Sequence, residues 1–476
     1  MEVTAWRTPP TEEVRPAVPE LTRRRRILVL AVCCTSLFLG SVDNTIVNVA
    51  LPAIGRDLGA PVSGMQWVVD SYTLVLGSLL LLSGSTADRI GRRRTFQVGL
   101  VVFTLGSVLC GLAPGLGWLV AFRVVQAVGG SMLNPVAMSI IVNVFPDPRE
   151  RARAIGVWGA VAGLSMALGP LLGGLLVDTA GWEAVFWVNA PVGVAAVVLT
   201  ALFVPESRAP RPRRVDPLGQ VLVLVVLASL LSGLIEGPHR GWASAPILAL
   251  FAAAAAALAG LVAWELRRAE PLLDVRLFRN PPFAGAVVIA VCGFAAFGGF
   301  LLLNTLYLQE SRGLSALHAG LWTLPMALTA ALVAPLSGRI VAGHGPRWPL
   351  VVAGAATALA GVQLTALDAG APPLQLVAAY VAVGLGFGML NAPVTTTAVA
   401  GLPADQAGVA AAVASTSRQV GQALGVAVLG AVVAAGLAGA PMAAGLPAAS
   451  HAAWWVVAGC GVAITVLGVT TTGRRA

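Results

Sequence analysis

GVWGAVAGLSMALGPLLG, residues 156–173, returns 252 residues later as GVAAAVASTSRQVGQALG, residues 408–425. The two stretches align without a gap and share Gly, Val and Ser positions. Two more pairs keep the same order at nearly the same offset. GGSMLNP (129–135) matches GFGMLNAP (386–393), and LSGSTADRIGRRR (82–94) matches LSGRIVAGHGPRW (336–348). Chance likeness among Gly/Ala-rich helices does not preserve order and spacing across three segments. The chain reads as two duplicated halves.

What each half contains follows from composition. The 476 residues are 57% hydrophobic and 11% charged, whereas a soluble chain carries about 25% charged residues. The excess apolar surface belongs in lipid, where a helix needs about 20 apolar residues to cross. Fourteen segments qualify: 27–54, 64–86, 95–113, 117–144, 152–178, 183–204, 218–236, 244–266, 281–309, 315–341, 348–367, 373–400, 408–436 and 452–470. With short loops they use up the chain. The repeat links span 2 to 10, 4 to 12 and 5 to 13, so spans 7 and 8 are an insertion. The division is a tail (1–26), a six-helix bundle (27–204), a loop with the inserted pair (205–280), a second six-helix bundle (281–470) and a tail (471–476). An even insertion preserves topology, so the halves run parallel. The expected fold is an all-α membrane protein of two six-helix bundles plus two inserted helices.

The net charge of +9 raises nucleic acid as a partner, but its distribution excludes that reading. Of 30 basic residues, all Arg, 25 lie before span 1 or after even-numbered spans. Only Arg56, Arg240 and Arg312 lie on the other side, and Arg123 and Arg418 fall inside spans. This is the positive-inside bias, which puts both termini in the cytoplasm. One missed span would scatter the arginines over both faces. Arg23–Arg26 then serve as an orientation anchor for span 1, which is too long for a cleaved signal. The all-Arg, Ala/Gly-rich composition points to a high-GC bacterium and its inner membrane.

Five cysteines lie singly or paired in apolar spans without metal or disulfide spacing. A membrane enzyme would need clustered His, Cys or acidic residues, but His239, His318, His344 and His451 are scattered. There is no nucleotide-binding loop. No cofactor is expected.

Buried charge is the strongest chemical signal. Arg123 lies six residues into span 4, about 9 Å deep at 1.5 Å per residue. Asp43 in span 1 and Asp70 in span 2 reach a similar depth. Charges inside a membrane are normally paired or face water, and they mark proton relays. Two carboxyls beside one guanidinium make a candidate proton site, because protonation frees the Arg from its partner. The alternative is a static ion pair.

The loop after span 2 offers Gly84, Asp88, Arg89, Gly91 and Arg92. Glycines allow a tight turn, and Asp88 is placed to pair with arginines or cap a helix. Such a cluster is expected to latch the two halves on the cytoplasmic face. The second half has Ala342 where the first has Asp88, so any latch there is weaker. In span 5, Pro170 removes a backbone donor, while Gly169 and Gly174 permit close packing or a bend.

Candidates to line a cavity are Phe297, Asn304 and Tyr307 in span 9, Trp322 in span 10, the repeated pair Asn134 and Asn391, and Arg418 in span 13. Aromatic walls with few polar groups suit promiscuous binding. Arg418 has three readings: attracting an anionic group, tuning a carboxylate, or holding helices together.

SVDNTIVNVALP (41–52), GSTADRIGRRRT (84–95), AFRVVQAVGGSML (121–133) and GLSMALGPLLGG (163–174) resemble the signature segments of the drug:proton antiporters of the major facilitator superfamily. Fourteen spans, with WVVDSY (67–72), LIEGPHRGW (234–242) and SRQVGQALG (417–425), look like its fourteen-spanner branch. The resemblance implies proton-driven export of small amphipathic drugs or antibiotics, with a substrate site between the halves at mid-membrane. It implies that Asp43 and Arg123 serve proton transfer, and that Gly169, Pro170 and Gly174 form the antiporter segment. It implies a monomer whose partners are substrate, protons and lipid, driven by the proton gradient. Export of an endogenous metabolite or lipid-like molecule is the alternative.

Overall fold

The structure is a computed structural model that describes residues 21–209, 216–268, 271–368, 370–400, 402, 404–437 and 440–472. Most of the first tail (1–20), the end of the second (473–476) and the arginines Arg211, Arg213 and Arg214 lie outside the described residues. The described regular structure is helical throughout.

Fourteen helices are long and apolar enough to span a bilayer: α1 (Arg23–Asp57), α2 (Val62–Ile90), α3 (Arg92–Gly111), α4 (Leu116–Val144), α5 (Pro148–Ala180), α6 (Ala184–Phe203), α7 (Pro217–Arg240), α8 (Ala245–Glu265), α9 (Pro281–Ser311), α10 (Ala316–His344), α11 (Arg347–Thr365), α12 (Pro373–Val399), α13 (Val409–Leu437) and α14 (Met442–Thr471). They follow the order of the fourteen apolar segments. The last differs most, starting at Met442 rather than 452. Pro447 interrupts that stretch and makes it read as a loop. Burial decides instead: Leu446, Ala449 and Ser450 are buried, and a Cβ at Gly436 of α13 would meet Ala449 at 3.0 Å. Three helices are interrupted, α4 at Met132, α6 at Val188 and α10 at Thr323. Each break precedes a proline by two or three residues (Pro135, Pro191, Pro325), whose ring crowds the carbonyl one turn back.

The halves pack alike. α1 packs on α5, α2 and α3 on α4, and α6 on α1 and α3. Likewise α9 packs on α13, α10 and α11 on α12, and α14 on α9 and α11. Each contact recurs eight helices later. Lipid tails give apolar helices no hydrophobic reason to associate, so close fit supplies the attraction. Glycine provides it: a Cβ at Gly361 of α11 would stand 2.5 Å from the backbone nitrogen of Ala458 in α14.

Between halves, α2 meets α13 and α5 meets α10. The face carrying the α1–α2 and α9–α10 loops (the odd-loop face) is sealed. Arg56 pairs with Glu310 at 2.7 Å, and Gln309 donates to Val49 O at 2.8 Å. Asp178 of α5 caps α10, accepting from Ala316 and Leu317 backbone N–H at 3.1 and 3.0 Å. Toward the opposite, even-loop face the halves part. A Cβ at Gly84, Gly156, Gly159, Gly163 or Gly338 would meet nothing within 4 Å. Those positions border open space at that end, read as a cleft between the halves.

The seal depends on Gly174, where a Cβ would lie 2.5 Å from Ala316 O and Leu317 Cα. Backbone cannot give way as a side chain can, and overpacking costs about 1–3 kcal/mol. Gly174→Val is expected to loosen the odd-loop seal. Ala319→Cys, buried there, should react with a charged thiosulfonate about tenfold faster in that background, since about 1.4 kcal/mol is tenfold. An unchanged rate would remove Gly174 from the seal.

Candidate functional site

Arg123 and Gln126 sit three residues apart on α4 and so share one helical face. Both point at Asp43 of α1. Arg123 Nη1 donates to Asp43 Oδ2 at 2.7 Å, and the side chains are 1% and 0% exposed. The same nitrogen donates to Gln126 Oε1 at 2.7 Å, and Gln126 Nε2 donates back to Asp43 Oδ1 at 2.7 Å. Asn189 at the start of α6 supplies a third donor to Asp43, at 3.1 Å, and donates to Ser107 Oγ of α3 at 3.0 Å. Ser107 in turn donates to Phe186 O.

α2 holds the other side of the guanidinium. Arg123 Nε donates to Val68 O at 3.1 Å. One turn on, the Tyr72 ring lies 4.1 Å from the guanidinium carbon, a favourable cation–π placement. Every helix touching this site belongs to the first half. A buried charge pair is tolerable only when geometry and further hydrogen bonds satisfy it, and both Asp43 oxygens are filled here.

Asp70 stands apart. It is fully buried and accepts only from Thr73 Oγ1, at 3.5 Å; its Oδ2 has no partner. The expected trio is a pair plus a separate carboxyl. The reason is azimuth. Asp70 falls four residues after Gln66 and seven before Gly77, the stripe of α2 that meets α13. Gln66 Nε2 donates to Val426 O and Ala427 O at 2.8 and 2.9 Å, and Gly77 abuts Gln419. Asp70 therefore lies on the seam between halves, as do Asn44 of α1 and Gln422 of α13. Those two amides exchange two hydrogen bonds, at 3.2 and 2.8 Å.

The loop after α2, expected to latch the halves and to break during exchange, makes its contacts within the first half in this structure. Asp88 pairs with Arg92 at 2.8 Å, and its carbonyl accepts from Ala209 N–H. Gly91 takes φ 125°, turning the chain so that Arg92 N–H reaches Ser207 O. Glu206 accepts from Arg93 N–H and approaches Arg94. Arg89 is exposed and Gly84 faces open space. The cluster thus staples α2 and α3 to the end of α6, within the first half. It cannot bridge the halves while they are parted at this face.

In α5, Gly169 and Gly173 let Thr45 and Ile46 of α1 approach, and the Pro170 carbonyl abuts Gly320 of α10. The Gly169–Pro170–Gly174 segment thus presses α5 onto its own half and onto the other.

Three cavity candidates are turned away from the cleft. Phe297 stacks on Phe387 of α12 with centroids 4.0 Å apart. Asn304 accepts from buried Tyr380 of α12. Tyr307 donates to Asp368 O at 2.6 Å, tying α9 to the α11–α12 loop. All three serve the interior of the second half, because apolar helices need polar groups satisfied within the bundle. Trp322 is half-buried against the core. Asn134 Oδ1 has no partner, and Asn391 is half-buried. Arg418 donates to Thr395 Oγ1 at 2.5 Å; its Nε has no partner, and it has no carboxylate partner among the described residues.

Sequence reasoning passed over Gln126, Asn189, Ser107 and Tyr72. A signal existed for Gln126, one turn from Arg123. Asn189 was the lone amide in an apolar span, and a lone amide needs a partner.

If this network is what keeps the pair buried, Asp43→Ala should cost about 3–5 kcal/mol by stranding Arg123. Asn189→Ala removes one donor and should cost about 1–3 kcal/mol. Melting temperatures of purified protein in detergent should fall in that order. Equal, negligible shifts would mean the pair is not held this way.

Residues 33–426 match the model of the Major Facilitator Superfamily. Multidrug resistance protein Stp of Mycobacterium tuberculosis is 37% identical over 414 residues, 87% of this chain and 77% of that one. The tetracenomycin C resistance and export protein of Streptomyces glaucescens is 38% identical over 409 residues, covering 85% and 75%. Among solved structures, a bacterial homolog of the human lysosomal transporter Spinster, inward-facing and unoccupied, superposes with TM-score 0.69 at 18% identity, over 96% of this chain and 100% of that one. A POT family transporter in complex with 5-aminolevulinic acid gives TM-score 0.68 at 15% identity, over 92% and 95%. Two matching six-helix bundles with an inserted pair, and a family model spanning both, show that the chain belongs to the Major Facilitator Superfamily.

Proposed function

We propose that this protein exports small amphipathic drugs or antibiotics from the cytoplasm of a bacterium, taking up protons in exchange. The observation that carries the proposal is the buried Asp43–Arg123 pair, 2.7 Å long and closed by Gln126 and Asn189. The relatives' names, multidrug resistance and antibiotic export, support the cargo. The arginine bias supports a cytoplasmic even-loop face, so the open cleft is read as facing the cytoplasm, with both termini there in the inner membrane.

In this reading solute enters the cleft and meets Asn134, Trp322, Asn391 and Arg418. The halves rock; the odd-loop seal at Gly174, Gln309 and Arg56 breaks, and solute leaves outward. A proton arriving at Asp43 removes its charge and turns one acceptor into a donor. Arg123 then loses its partner while keeping Val68 O and Tyr72, and the helices that the pair joined are free to shift. Asp70 reports on the seam itself, since its free oxygen lies where α2 slides on α13. A ligand or proton biases a two-state protein only through such differential interactions. The protein acts as a monomer and needs no cofactor beyond the proton gradient.

The test has two stages. Cells expressing the protein should resist part of a growth-inhibition panel of dyes, antiseptics and antibiotics. The compound best resisted is then loaded into proteoliposomes under an imposed pH gradient. Gradient-driven export should be lost in Asp43→Asn and Arg123→Ala while both remain folded. Full transport by both would sink the coupling site. Unchanged resistance, with a metabolite accumulating on deletion, would favour an endogenous cargo.

A further inference from the structure

We propose that the inserted pair α7–α8 walls off one of the two seams between the halves, so that a membrane-dissolved amphipathic solute reaches the cleft only between α5 and α10. The two seams, α2 with α13 and α10 with α5, are equivalents under the internal repeat, and rocking opens both toward the even-loop face. Only one is covered. α7 lies across α2 and α13 together. Its Leu227, Leu231 and Ile235 share one buried cluster with Leu74 and Val75 of α2 and Ala423 of α13. It is pinned to α2 at both ends. Gln220 Nε2 donates to Ser78 O at 2.6 Å, and Trp67 Nε1 of α2 donates to Glu236 at 3.3 Å. Among the described residues these hydrogen bonds go to α2 and apolar contact joins α7 to α13. So α7 travels with the first half and stays over the seam as α13 slides beneath it. α8 backs α7: Asp216 at the head of α7 accepts from Trp264 at 3.1 Å and pairs with Arg268 at 3.4 Å.

Among the described residues no such cover lies over the α5–α10 seam. Its contacts hold near Pro170 and Gly174, at the odd-loop end. Toward the even-loop end, Gly156, Gly159 and Gly163 of α5 and Gly338 of α10 face open space. The flanking side chains, Leu164 and Leu336, are apolar and 55% and 45% exposed. In the proposal this apolar rim leads from the bilayer toward the half-buried Arg418 and Thr395, a route that suits a solute with an apolar body and a polar end. The proposal takes the nature of the solute from the exporter reading; the access route is tested without transport.

The test uses the full chain in liposomes, with the five cysteines replaced and Thr395→Cys as reporter. The probes are N-(1-pyrenyl)maleimide dissolved in the bilayer and a charged thiosulfonate in the aqueous phase at the even-loop face. Gly159→Trp with Gly338→Trp, both into open space, should slow maleimide labelling about tenfold, equivalent to a barrier about 1.4 kcal/mol higher. Thiosulfonate labelling should stay unchanged, which also shows that the variant is folded with its cleft intact. Unchanged maleimide labelling would overturn the route and leave the exporter reading standing. Should both rates fall together, Leu164→Phe with Leu336→Phe repeats the comparison with smaller plugs and decides it.

Discussion

A guanidinium shut off from water inside a membrane protein, as Arg123 is, needs a counter-charge. Taking either ion of such a pair out of water costs several kcal/mol even after relaxation, so Arg123 constrains everything near it. Asp43 must be within bonding distance, which fixes α1 against α4. The remaining Asp43 lone pairs demand Gln126 and Asn189, which bring in α6. Ser107 and Val68 then orient α3 and α2. The first half is assembled around one ion pair, and at that pair a single proton would change the hydrogen-bond count of several helices.

The packing of helix on helix answers a different constraint. Lipid is as apolar as the helix surface, so burial of apolar area does not drive association. The halves meet where backbone can touch backbone: Gly174 on Ala316, Gly320 on Pro170, Gly77 on Gln419. Amides lock the same region, as in Asn44 with Gln422 and Gln66 with the α13 carbonyls. These contacts concentrate away from the even-loop face. A motion that parts them must also supply the amides with water, which ties opening of the odd-loop side to its wetting.

The span number, the duplication and the inserted pair were legible because hydropathy, arginine placement and repeat offset are one-dimensional. So was the Asp43–Arg123 pairing, since depth in a span can be counted. What could not be read was azimuth. Depth placed Asp70 with Arg123, but the direction of α2 sends it to α13. Phe297, Asn304 and Tyr307 were assigned to the cleft by type, whereas the turn of α9 points them into the second half. The start of α14 was hidden by Pro447, because contacts with α13 outweigh a local helix breaker. The Asp88 cluster was legible as a turn with ion pairs, but its partner depended on how far apart the halves stand.

Duplication preserved the scaffold but not its charge. Tyr380 stands 257 residues after Arg123, the offset that relates α4 to α12, and it too is fully buried. It reaches α9 as Arg123 reaches α1, but its partner is the neutral Asn304. A neutral pair satisfies the bundle's need for hydrogen bonds without the desolvation of two ions. Neither partner carries a charge. The second half therefore retains the joinery without the ion pair, and Arg418 is the charge that lies deep within one of its spans. Such asymmetry suits the proposed exchange of unlike cargoes: identical halves would present the same chemistry twice, whereas these present an ion pair on one side and, on the other, a cation without a carboxylate partner among the described residues.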